Sequence, residues 1–146
     1  MSVETTVVPY TYNRAHLLAD ALTALRAQQV PDGVNWEILV VDNNSDDHTK
    51  QVVASFAESA AVPVRYVFEP QQGVSHARNR GIGEARGQLI AFTEDDALPT
   101  SDWLAAILTA FAKWNADCVG GASSFAGRRR RRGGLFAIAF FSCALV

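Results

Sequence analysis

The sequence predicts an α/β fold in which a mainly parallel central sheet carries helices on both faces. Two observations predict it. Short apolar runs alternate with segments whose apolar residues recur at helical spacing, and the strongest run, Ile38-Leu39-Val40-Val41, is apolar throughout, as strands buried on both faces are. A third observation says where the chemistry sits: the run Leu89-Ile90-Ala91-Phe92-Thr93 ends abruptly in three carboxylates, Glu94, Asp95 and Asp96. In an open α/β sheet, ligands collect at the carboxyl ends of the strands. Adjacent acids there can hold a hard divalent cation that in turn holds phosphate oxygens. Three acids ahead of a helix starting near Ser101 would equally suit that helix's dipole.

The first strand spans residues 5–8 and is expected to break at Pro9. A helix follows, capped at Asn13, with Leu17, Leu18, Ala21, Leu22 and Leu25 on one face. Val30-Pro31-Asp32-Gly33 stops it, and residues 36–41 make the second strand. After a polar loop, residues 48–58 read as a helix with Val52, Val53, Phe56 and Ala57 on one side. Residues 64–68 make a third strand. The third helix, residues 75–86, takes Ser75 as its cap and is ended by Gly87. A fourth strand covers residues 88–92 and a fourth helix residues 103–114, and Asp117-Cys118-Val119 opens a fifth strand. No internal repeat interrupts this order.

The loops after the strands carry groups suited to a nucleotide. Pro9-Tyr10-Thr11-Tyr12-Asn13-Arg14 offers aromatic surface, hydroxyls and a guanidinium at a helix start. Asp42 ends the second strand, where a carboxylate can accept a hydrogen bond from a base N–H. The Asp-x-Asn-x-Asp spacing that begins there is not a calcium loop, because the sixth and twelfth positions are Asp47 and Val53 instead of Gly and Glu. Arg78 lies in the first turn of the third helix, where a cation is disfavoured unless an anion is near. That anion is a phosphate or an acid of the site such as Glu94. Gly81, Gly83 and Gly87 lack the dinucleotide spacing, and no Gly-Lys-Ser/Thr phosphate loop occurs.

Composition agrees with one globular domain: 146 residues, 49% hydrophobic and 19% charged. The net charge of −2 conceals an uneven distribution, since five of the 13 basic residues are the arginines 128–132, which leaves eight to face 15 acids. Cys118 and Cys143 make neither a metal-ligand spacing nor a disulfide framework, so a reducing, cytoplasmic setting is expected. The amino terminus has no signal pattern. No uninterrupted apolar run reaches the ~18 residues of a spanning helix.

Together, Val8-Pro9-Tyr10-Thr11-Tyr12-Asn13-Arg14, Trp36-Glu37-Ile38-Leu39-Val40-Val41-Asp42-Asn43-Asn44-Ser45, Gly73-Val74-Ser75-His76-Ala77-Arg78-Asn79-Arg80-Gly81 and Ile90-Ala91-Phe92-Thr93-Glu94-Asp95-Asp96 resemble the nucleotide-binding half of glycosyltransferase family 2. The resemblance covers about residues 4–122. It implies the GT-A fold, a Rossmann-like three-layer sandwich that is incomplete at the carboxyl terminus. It implies a transferase of polysaccharide, cell-wall, glycolipid or protein glycosylation that takes a nucleotide-diphospho-sugar, usually a UDP-sugar, inverts the anomeric centre and uses Mn or Mg. Thr11 and Tyr12 would line the base pocket, Asp42 pair with the base, Arg78 lie near base or diphosphate, Asp95 take the ribose and Asp96 the metal. Pro9, Asn13, Arg14 and Asn44 would complete the nucleotide site. The family most often has Asp where Glu94 stands.

The catalytic base of the family is expected beyond Ala122, where nothing matches. Residues 1–122 are therefore expected as the donor-binding domain and residues 123–146 as an Arg-rich and apolar tail, which a truncated or frame-shifted gene end would also produce. A basic run before an apolar one suits contact with the inner face of a membrane. Nucleic acid is not an expected partner, and the acceptor is a saccharide, lipid or protein. The alternative function is a non-catalytic nucleotide-sugar binding module.

Overall fold

The computed structural model describes residues 3–120 and 137–141. Among them, strands β1 (Thr5–Thr11), β2 (Trp36–Asp42), β3 (Val64–Phe68), β4 (Leu89–Glu94), β5 (Cys118–Gly120) and β6 (Ala137–Phe141) form one sheet in the order β3-β2-β1-β4-β6-β5. All five pairings are parallel. The helices are α1 (Ala15–Arg26), α2 (Thr49–Ser59), α3 (Val74–Glu84) and α4 (Trp103–Trp114). The fold is the expected α/β sandwich.

One core places Leu18, Leu22 and Leu25 of α1, Val53 and Phe56 of α2, and Trp103, Leu104 and Ile107 of α4 against Val7, Ile38, Val40 and Ala91 of the sheet. On the other face, Ala77 of α3 joins Val8, Leu39, Val41, Ile90 and Phe92. Alternate residues of each strand thus feed alternate faces. α3 sits close to the sheet because position 81 is glycine: a Cβ there would lie 2.8 Å from Val8 Cγ1 and 3.2 Å from Phe92 Cε1.

β1 runs on through Pro9 instead of ending before it. Proline lacks an N–H, so it can serve only part of a ladder. The pairing with β4 includes Pro9↔Thr93, whereas the pairing with β2 passes from Val7↔Ile38 to Tyr10↔Val41 at the same offset. The β4 ladder runs through Pro9 and ends at Tyr10↔Glu94, and the β2 ladder, interrupted at Val8 and Pro9, resumes to carry the strand to Thr11. Residues 137–141, read from sequence as part of an apolar tail, lie in the sheet as β6 beside β4, in register Leu89↔Ala137. The arginine run 128–132 and its expected membrane contact lie outside the described residues.

At the amino end of the strands, Glu37 is fully buried. Its carboxylate accepts hydrogen bonds from Arg65 Nε and an Arg65 terminal nitrogen, both at 2.9 Å, from the Thr6 hydroxyl at 2.9 Å and from the Arg86 N–H at 3.3 Å. Burial works against the charge, yet the bonds from Arg65 and Thr6 hold the Glu37 carboxyl below the usual carboxylate range. Thr6 Oγ1 in turn accepts from the Gly87 N–H at 2.9 Å.

The strand order decides where a ligand fits. From β1 the chain steps outward to β2 and β3, then α3 brings it back so that β4 lies on the other side of β1. The order therefore reverses between β1 and β4, and the crevice outside the carboxyl ends at such a switch is where open α/β sheets bind ligands.

Candidate functional site

The carboxyl ends of β1 and β4 meet at that switch. Two side-chain bonds between residues 84 apart in sequence cross it. The Thr11 hydroxyl donates to Asp95 Oδ2 at 2.8 Å, and the Tyr10 hydroxyl donates to Glu94 Oε1 at 2.9 Å. Arg78, one turn into α3, donates to the Tyr10 hydroxyl at 3.0 Å, and its guanidinium lies over the Tyr10 ring, 5.4 Å from the centroid. Burial pushes the Tyr10 hydroxyl up, with the bond from Arg78 opposing and that to Glu94 assisting, so it remains a neutral phenol that can donate to a carboxylate.

The acidic triplet does not cap α4. That helix takes Asp102 as its N-cap, with no side-chain cap bond, and the Asp102 carboxylate accepts from Thr100 Oγ1. Asp95 instead is buried against Thr11, while Asp96 keeps 45% of its side chain exposed. Both face Arg14, whose guanidinium nitrogen lies 3.4 Å from Asp95 Oδ1 and 3.8 Å from Asp96 Oδ2. Burial and the neighbouring charge of Asp96 push the Asp95 carboxyl up, against the Thr11 bond and the Arg14 charge.

On the β2 side, Asp42 is buried and both its oxygens are engaged. Oδ1 accepts from the Ser45 N–H at 2.9 Å, and Oδ2 from the Tyr66 hydroxyl at 2.6 Å. Burial and the Asp42 carboxylate push the Tyr66 hydroxyl far up, which keeps it a donor. Ser45 also accepts from the Asn13 N–H at 2.9 Å, and Asn13 Oδ1 accepts from the Asp46 N–H at 2.9 Å. Asn13 and Asn44 both adopt positive φ, at 50° and 69°. Tyr12 is exposed, and Pro9 is buried within β1.

Two expected caps are replaced. Asn13 does not cap α1. Arg14 is the N-cap, and the free N–H of Ala15 is taken by Asp47 at 3.0 Å, so the β2–α2 loop caps a helix that begins 32 residues earlier. Burial notwithstanding, bonds from Thr49 and Ala15 hold the Asp47 carboxyl low. Ser75 does not cap α3, whose N-cap is Gly73 at φ 139°, a conformation that favours glycine. The Gly73 N–H donates to Asn43 Oδ1 at 2.8 Å, and the Asn43 amide donates to the Gln71 carbonyl at 2.8 Å. Asn43, Tyr10 and Tyr66 were not among the expected site residues. Asn43 had one sequence signal, a buried-strand end with a side chain able to tie a turn.

No group of three or more His, Cys, Asp or Glu among the described residues is arranged to hold a metal ion. The acids nevertheless fit a hard cation. A half-exposed carboxylate beside a buried one offers oxygen donors for an ion of the Mg2+ type, which keeps waters and completes its shell with substrate phosphates. The pair already draws a positive group, the Arg14 guanidinium, to itself. No helix among the described residues is long and apolar enough to cross a membrane.

A family model described as glycosyl transferase family 2 matches residues 6–136. Glycosyltransferase AglE of Haloferax volcanii is 33% identical over 119 residues, 82% of this chain and 38% of that protein. Validoxylamine A glucosyltransferase of Streptomyces hygroscopicus subsp. jinggangensis is 36% identical over 108 residues, 73% of this chain and 25% of that protein. The mannosyltransferase PcManGT from Pyrobaculum calidifontis, in complex with GDP-Man and Mn2+, aligns with a TM-score of 0.69 at 32% identity, covering 77% of this chain and 33% of its own. S. aureus TarS 1-349 in complex with UDP-GlcNAc aligns with a TM-score of 0.71 at 21% identity over 88% of this chain and 37% of its own, a likeness of fold. The chain thus spans between a quarter and two fifths of the length of these proteins.

Proposed function

The chain belongs to glycosyl transferase family 2, and on that premise we propose that it supplies the donor half of an inverting glycosyltransferase that uses a UDP-sugar and a divalent cation. The observation that carries the reading is the joining of Thr11 to Asp95, with Arg14 beside Asp95 and Asp96, at the sheet's switch point. Asp42, at the neighbouring strand end, reads the base. Thr11 and Tyr12 flank it, with Pro9, Asn13 and Asn44 shaping the loops. Asp95 takes the ribose, and Arg78 is held toward base or diphosphate by Tyr10. Asp96 would hold Mn2+ or Mg2+, and such a cation would supply positive charge to offset the negative charge left on the nucleoside diphosphate.

An acceptor hydroxyl then attacks the anomeric carbon from the face opposite the nucleotide, its proton taken by a carboxylate base. That base lies outside residues 1–122, and the acceptor-binding region with it.

Calorimetry with UDP tests the reading. UDP should bind with Mn2+ or Mg2+ and lose most of its affinity in chelator or in Asp96→Asn. Binding that is indifferent to both would refute it. GDP belongs in the same titration, because PcManGT carries GDP-Man; tighter GDP binding would correct the base.

A further inference from the structure

Arg14 is placed where its charge is locally unwelcome. It is the N-cap residue of α1, where a cationic side chain is disfavoured by the helix dipole, and it makes no side-chain cap bond. What compensates it is the pair of acids, 3.4 Å and 3.8 Å away. The two contacts differ in kind. Asp95 is buried and pinned by Thr11, so it stays in place whatever Arg14 does. Asp96 is half exposed, and its 3.8 Å separation from Arg14 is an ion pair without a hydrogen bond. The Arg14 side chain is itself 54% exposed on a flexible stem.

We propose that Arg14 is the resident counter-ion of the Asp95–Asp96 pair and is exchanged for the divalent cation when donor arrives, the released guanidinium then gripping the diphosphate. The proposal rests on the reading that Asp96 takes the cation. A cation at Asp96 repels Arg14, while a diphosphate offers the planar, two-oxygen partner that a guanidinium fits best. Without nucleotide, the cation must displace Arg14 with no anion to receive it, so cation binding alone is weak. With nucleotide the displaced charge finds a partner, so cation and diphosphate assist one another's binding, and reciprocally.

The experiment measures Mn2+ affinity without nucleotide, by electron paramagnetic resonance, and UDP affinity at saturating Mn2+, by calorimetry. It compares the wild-type chain with Arg14→Gln, Arg14→Lys and Asp96→Asn. Arg14→Gln should bind Mn2+ alone about 2- to 5-fold more tightly, the scale of a lost exposed ion pair. It should bind UDP roughly 10-fold or more weakly, the scale of a lost charged hydrogen bond. Arg14→Lys, which keeps the charge but not the fork, should retain the weak Mn2+ binding and lose part of the UDP affinity. Arg14→Gln binding Mn2+ no more tightly than wild type would overturn the exchange while leaving the donor site standing. Asp96→Asn binding both ligands like wild type would overturn the donor site and the exchange together.

Discussion

Replacing Glu37 by Gln tests whether the buried ion pair at the amino end of the sheet holds the domain together. Gln keeps the shape but removes the charge, and it turns one acceptor oxygen into a donor facing Arg65 or Thr6. Removing one partner of a buried pair costs about 3 to 5 kcal/mol. The Arg65 side chain is 23% exposed and can turn partly toward water, which moderates the cost. The expected loss is therefore about 2 to 4 kcal/mol, and at roughly 3 °C per kcal/mol for a chain of this size Tm should fall by about 6 to 12 °C. The pH dependence sharpens the test. Because the folded-state pKa of Glu37 is depressed, its stabilisation is present in full above the unfolded glutamate value of ~4.3 and is lost as pH falls from there through the folded value. Urea unfolding of both proteins from pH 7 down to acid should show the gap closing in that window. A difference under about 0.5 kcal/mol at pH 7, or one unchanged on acidification, would show that the Glu37 charge contributes little.

Two further changes address the site and its support. Asp42→Asn should weaken UDP binding about 10- to 100-fold, the scale of a charged hydrogen bond, while inorganic diphosphate binds nearly as before. Equal losses would move Asp42 from the base to the phosphates or to folding. Gly81→Ala places a methyl against Val8 and Phe92 and should lower stability by about 1 to 2 kcal/mol, overpacking exceeding the helix propensity gained. Because Arg78 rides on the same helix, UDP affinity should fall with it, and calorimetry showing wild-type affinity would separate the packing of α3 from the site.

The layered fold was legible because its apolar runs and helical spacings are strong. The bounds of α4, residues 103–114, coincide with the reading from sequence, and Pro9 misled only because one of β1's two ladders tolerates it. Caps were less legible, since the groups that serve the starts of α1 and α3 come from Asp47 and Asn43, about 30 residues away. At the site, sequence singled out Thr11, Arg14, Asp95 and Asp96 separately. That Thr11 touches Asp95, and that Arg14 bridges toward both acids, follows from β1 lying beside β4, which depends on strand order and not on local pattern. Tyr10 was read only as part of an aromatic, hydroxyl-bearing loop, because its own role appears only once Glu94 and Arg78, distant in sequence, converge on its hydroxyl.

The same strands carry two polar systems at opposite ends. Thr6 and Glu37 serve the amino edge, Thr11 and Asp42 the carboxyl edge, and the five steps from Thr6 to Thr11 amount to roughly 16 Å of extended chain. Changes separated by more than about 10 Å with no shared partner combine additively. A population drifting toward a different ligand could therefore accept a destabilising change at the carboxyl edge and offset it at the amino edge without either altering the other's effect. Such a division leaves the binding crevice free to diversify while the frame beneath it is retained.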